Sequence, residues 1–105
     1  MKKADSASYC ADKMKVLSDV TRLFVLEELL NAPRTVTELN ALLKIEQSLL
    51  SHHLKVLRKA GLVTTAREGK AIRYDIAPEA RSRSPGKALN LGCCKISFEG
   101  LPKRK

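Results

Sequence analysis

Ser48-Leu49-Leu50-Ser51-His52-His53-Leu54-Lys55-Val56-Leu57-Arg58-Lys59-Ala60-Gly61-Leu62-Val63 runs directly into Thr64-Thr65-Ala66-Arg67-Glu68-Gly69-Lys70-Ala71-Ile72-Arg73-Tyr74-Asp75-Ile76. The first half predicts a helix. At about 100° per residue, Leu50, Leu54 and Leu57 share one side, flanked by Leu49, His53, Val56 and Ala60. Ser48, Ser51, His52, Lys55, Arg58 and Lys59 take the opposite side, with Gln47 just ahead and nothing acidic among them. Serine and histidine bond base edges or phosphates and lysine bonds phosphate or guanine, so this face suits a major groove. It also suits plain solvent, as any amphipathic helix does. Gly61 reads as the helix cap and Leu62-Val63 as the opening of a strand. In the second half Ile72, Tyr74 and Ile76 alternate with Arg73 and Asp75, and Glu68-Gly69 supplies a turn ringed by Arg67, Lys70 and Arg73. A basic tip projects toward a phosphate backbone, although charge also protects ordinary edge hairpins. The helix and hairpin standing side by side favour the DNA reading.

Upstream, Thr35-Val36-Thr37-Glu38 matches a capping box and starts a short helix through about Leu43, with Val36, Leu39, Leu42 and Leu43 facing inward. Lys44-Ile45-Glu46 is a tight turn into the next helix. Short helix, turn and polar-faced helix make a helix-turn-helix. Before it, Asp19 caps a helix carrying Leu23, Leu26, Leu29 and Leu30 that Pro33 stops. A first helix spans about Ser8 to Leu17, with Cys10, Met14 and Leu17 on one face. The expected fold is mainly α with a small β-hairpin wing.

Leu17-Ser18-Asp19-Val20-Thr21-Arg22-Leu23, Thr35-Val36-Thr37-Glu38-Leu39 and Leu50-Ser51-His52-His53-Leu54 running on to Ala60-Gly61-Leu62-Val63 together resemble the ArsR/SmtB family of winged helix-turn-helix repressors. The resemblance spans roughly residues 10 to 77. It implies a bacterial homodimer that sits on operator DNA until an inducer, usually a metal or a thiol-reactive species, weakens binding. The chain departs from the family pattern at Val20, where a proline is frequent. It also lacks a cysteine pair in the Thr37 to Leu43 helix and a His-rich C-terminal helix, the metal-binding signatures of two branches.

Composition agrees. A chain of 105 residues makes one small domain whose core gains from dimerisation. A net charge of +9 favours a polyanionic partner, though charge alone does not choose among DNA, RNA and a membrane surface. The apolar runs are too short for a membrane span and the N-terminus lacks a signal core, so no membrane partner is expected. Three cysteines without an export signal read as reduced thiols in the cytoplasm.

Residues 1–79 are expected to form the DNA-binding and dimerisation domain, and residues 80–105 a basic linker and cysteine-containing extension. Arg81-Ser82-Arg83-Ser84-Pro85-Gly86-Lys87 reads as the linker and Lys103-Arg104-Lys105 as a frayed tail. In between, Leu89/Leu91 and Ile96/Phe98 alternate with polar residues. That pattern favours one strand or two over the dimerisation helix common in the resembled family, with Gly92 at a bend.

Cys93 and Cys94, with Cys10, carry the sensing question. Three thiolates suit trivalent arsenic or antimony, which take a pyramidal set of sulfurs; zinc and cadmium want a fourth ligand. In a regular strand the vicinal pair would point to opposite faces, an objection that a turn at Gly92 removes. Packing is the plain alternative, since free cysteine behaves as a small hydrophobe. A disulfide from Cys10 to one tail thiol is the rival trigger, and Lys87 and Lys95 would lower a thiol pKa for either chemistry.

Adjacent His52 and His53 diverge by about 100° on a helix and do not share one ion; His52 reads as a groove residue and His53 as packing. The sequence holds neither a nucleophile with its base nor a Gly-rich phosphate loop, so no enzyme is expected. The reading is a winged-helix repressor that needs no cofactor to bind operator DNA and is released by arsenite or antimonite. Gln47, Ser48, Ser51, His52, Lys55 and Lys59 are assigned to the groove, Arg67, Lys70 and Arg73 to the wing, and Cys10, Cys93 and Cys94 to the inducer. A winged helix that binds a protein partner instead of an operator is the alternative of another class.

Overall fold

Two helices open the chain in the computed structural model, which describes residues 2–82 and 87–98, with side chains from residue 6: α1, Lys2–Leu17, and α2, Val20–Asn31. Helix α1 starts well before the expected Ser8. Asp19 caps α2 by accepting from the Arg22 backbone amide at 3.1 Å. A short strand β1, Arg34–Thr35, leads into α3, Val36–Leu43, and the capping box is complete: Thr35 Oγ1 accepts from the Glu38 amide at 3.2 Å and Glu38 Oε1 from the Thr35 amide at 2.9 Å. Lys44 turns the chain in the left-handed region at φ 56°, and the Asn40 side-chain amide donates to the Ile45 carbonyl, closing the turn into α4, Gln47–Lys59.

Helix α4 ends in a Schellman cap. Gly61, at φ +78°, donates to the Arg58 carbonyl at 3.0 Å and Leu62 to the Leu57 carbonyl at 3.1 Å, which swings the chain directly into β2, Val63–Glu68. A two-residue loop, Gly69 and Lys70, returns it as β3, Ala71–Ile76. The turn lies one residue later than Glu68-Gly69. β1 pairs antiparallel with the other edge of β3, giving the order β1-β3-β2 and placing the wing base against the start of α3.

The core unites all of these pieces. Leu26, Leu29, Leu39, Leu50, Leu54, Leu57 and Leu62 are fully buried, so the three leucines read from the α4 face are where the periodicity puts them. Leu49 is not: it is 45% exposed. After a 3-10 turn at Pro78–Ala80 the extension forms a second hairpin, β4, Ala88–Asn90, with β5, Lys95–Ser97. Leu89 and Leu91 enter the same core, with Ile96 and Phe98 packed at its edge. The expected linker residues 83–86 and the tail 99–105 lie outside the described residues. The fold is a winged helix-turn-helix with a C-terminal hairpin docked on it. Among the described residues no helix is long and apolar enough to cross a membrane.

Candidate nucleic-acid interface and thiol cluster

Helix α4 buries Leu50, Leu54 and Leu57 and therefore turns Gln47, Ser48, Ser51, His52, Lys55, Arg58 and Lys59 to solvent together. One acidic group borders this face: Glu46, at the N-cap, accepts from the Ser48 hydroxyl at 2.7 Å. In the wing Arg67 and Lys70 are exposed near the tip. Arg73, read as a third phosphate grip, is engaged with the protein itself. Its Nε donates to Glu68 Oε1 at 2.7 Å, and its Nη1 donates to the Pro33 carbonyl at 3.3 Å and lies 3.6 Å from Glu38 Oε1. The Glu68 hydrogen bond raises the Arg73 pKa further. Arg73 thus ties the wing to α3 and presents one-third of its side chain to solvent.

His53 is 6% exposed and its ring is satisfied: Nδ1 accepts from Arg22 Nε at 3.0 Å, with Nε2 4.0 Å from Asp19 Oδ1. The same Arg22 donates from Nη1 to the Val16 carbonyl at 3.1 Å, so the end of α1, the start of α2 and the middle of α4 share one polar node. The Arg22 backbone amide, opposed by burial, holds the Asp19 carboxyl below its usual pKa. The packing role read for His53 is the one it has.

The Sγ atoms of Cys10, Cys93 and Cys94 all lie within 4.8 Å of one another in one chain. The hairpin tip makes this possible. Leu91 donates to the Cys94 carbonyl at 2.8 Å, leaving Gly92 and Cys93 as a two-residue loop, with Gly92 at φ +92°. The vicinal cysteines are therefore in a turn and their sulfurs come to 3.9 Å of each other. Cys10 and Cys93 are joined in a disulfide with Cα atoms 6.0 Å apart and Cys94 is free, where three reduced thiols were expected. Lys87 lies 4.0 Å from Glu27 on α2.

Two neighbours of the cluster escaped the sequence reading. Tyr9 lies against Gly92, where a Cβ would come within 3.3 Å of its hydroxyl. Lys13 sits 5.2 Å over the Tyr9 ring and donates to the Ala60 carbonyl at the end of α4. The available signal was spacing: Lys13 stands one helical turn after Cys10 and shares its side of α1. An open groove of about 430 Å³ between α1 and α4 is lined by Tyr9, Asp12, Lys13, Val16 and Val56, among others.

Residues 19–65 match the model of a family described as bacterial regulatory protein, arsR family. The transcriptional regulator NmtR of Mycobacterium tuberculosis is 38% identical over 73 residues, 70% of this chain and 61% of NmtR. The arsenical resistance operon repressor of Bacillus subtilis is 38% identical over 68 residues, 64% of this chain and 65% of that protein. The chain thus spans about three-fifths to two-thirds of these curated relatives. Among solved structures, reduced HlyU from Vibrio cholerae superposes with a TM-score of 0.69 at 32% identity, covering 72% of this chain and 80% of that one. With the capped helix-turn-helix, the wing and these relatives in agreement, the chain belongs to the arsR family of bacterial regulatory proteins.

Proposed function

We propose that the chain is a homodimeric repressor that binds operator DNA through α4 and the wing and lets go when trivalent arsenic or antimony is taken up by Cys10, Cys93 and Cys94. The observation that carries the inducer is the convergence of three sulfurs within 4.8 Å from α1 and the extension. A soft, three-coordinate ion is the ligand class that a set of three thiolates favours, and among the described residues the group is Cys10, Cys93 and Cys94. The kinship with an arsenical resistance repressor supports it. The DNA side rests on the exposed cationic face of α4 and on Arg67 and Lys70, with Arg73 positioning the wing. Homodimerisation is supported by the half-exposed apolar side chains Met14 on α1 and Phe24 on α2.

Fluorescence anisotropy on promoter DNA, with arsenite, antimonite, cadmium, zinc and peroxide added in turn, tests the reading. Arsenite should release the operator from the reduced protein, and Cys94→Ser should abolish that release. The Cys10–Cys93 disulfide favours one second reading, a redox switch driven by peroxide or reactive sulfur. It predicts release by peroxide that survives Cys94→Ser. DNA affinity too weak to measure, with no salt dependence, would instead leave a protein-binding winged helix.

A further inference from the structure

We propose that Lys13 is the positioning residue that couples the thiol cluster to the recognition helix; this rests on the proposed metalloid reading and deepens it. Lys13 links the end of α4 to Tyr9, which reaches the hairpin tip. Its ammonium donates to the Ala60 carbonyl, at the negative end of α4 where the chain leaves through Gly61, and it lies over the ring of Tyr9. Tyr9 adjoins Cys10 in sequence, and its hydroxyl stands beside Gly92, the residue before Cys93, 3.3 Å from where a Cβ would be. Lys13, Tyr9 and the hairpin tip therefore form one unbroken chain of contacts from the sulfurs to the end of α4.

Cys10 and Cys93 are already joined in the structure, with Cys94 Sγ held 3.9 Å from Cys93 Sγ. In the reduced protein an ion that takes all three sulfurs must draw Cys94 inward as well. Its hydroxide groups leave as water with the three thiol protons, three arsenic–sulfur bonds form, and no electron is transferred. Drawing Cys94 in rotates the tip about Gly92, and a rotation that carries Gly92 toward the Tyr9 hydroxyl shifts that ring. Tyr9 is the platform under the Lys13 ammonium, so its displacement withdraws Lys13 from Ala60 and frees the end of α4. An inducer works only through such a difference between two states, and a contact made in one and broken in the other supplies it.

The test compares wild type, Lys13→Met, Lys13→Arg and Lys15→Met as full-length reduced proteins. Arsenite binding is followed by sulfur-to-arsenic absorbance and operator affinity by anisotropy with and without saturating arsenite. Wild type should lose about tenfold or more in affinity on arsenite binding. Lys13→Met should bind arsenite with unchanged stoichiometry yet show a ratio near one, while Lys13→Arg restores the ratio and Lys15→Met, on the same helix, keeps it. A merely structural lysine would lower stability without changing that ratio. Normal release from Lys13→Met overturns the role of Lys13 alone. A wild type that neither binds arsenite nor releases DNA takes down the metalloid reading and this inference together.

Discussion

Lys55 on α4 and Arg67 in the wing reach solvent from two elements on which the DNA proposal depends. If each neutralises one phosphate, Lys55→Ala or Arg67→Ala should lower the slope of log affinity against log salt by about 0.9, read by anisotropy from about 50 to about 200 mM salt. Arg73→Ala should act differently, since its partners are Glu68, Glu38 and the Pro33 carbonyl. It should weaken binding with little change in slope. Asp19 makes a stability prediction. Loss of its cap in Asp19→Ala should cost about 1 kcal/mol in urea unfolding at neutral pH. Its pKa is depressed in the folded chain, chiefly by the Arg22 amide, so its contribution is present above the ordinary carboxylate value and fades as pH falls through the lowered one. Asp19→Asn should therefore flatten the acid side of the stability profile. At this scale the sequence was most readable where local chemistry decides: the caps at Asp19 and Thr35 follow from hydrogen-bonding side chains beside free amides. The partners of Arg73 were not readable because they come from 5 to 40 residues away.

Among the elements, the hairpin tip at Gly92 constrains the thiol cluster most. Gly92→Ala adds a side chain at φ +92° and 3.3 Å from the Tyr9 hydroxyl. The backbone cost alone is about 1 to 2 kcal/mol, visible in urea unfolding, and the crowding should also weaken arsenite binding. Helix α4 was legible because burial repeats at the helical period through Leu50, Leu54 and Leu57, and α3 because a capping box opens it, although Leu42, read as facing inward, is 49% exposed. Strand β1 was not: two residues leave no period to detect, and Arg34 and Thr35 become a strand only because β3 offers them an edge. Alternation also marked Leu89, Leu91, Ile96 and Phe98 as strand residues. It could not show that the intervening turn gathers two sulfurs, since alternation by itself would have separated them.

For the molecule as a whole, the extension belongs to the core. Leu89→Ala empties a fully buried position and should cost about 2 to 5 kcal/mol. A net charge of +9 was visible at once, and Cys10 was grouped with the tail thiols from their chemistry; which tail thiol meets Cys10 was not visible, because 83 residues separate Cys10 from Cys93 and only the finished fold brings them together. A crosslink over that span should stabilise the oxidised chain by about 4 to 5 kcal/mol on the chain-entropy model, measurable as a higher urea midpoint without dithiothreitol than with it. The same span has a mechanical corollary. A single molecule stretched by handles fixed outside the two sulfurs bears load along the short path through the bond. Helices α2, α3 and α4, which lie between the two sulfurs, would stay slack under tension, and their full contour would appear in the force trace only after a reductant severed that shortcut.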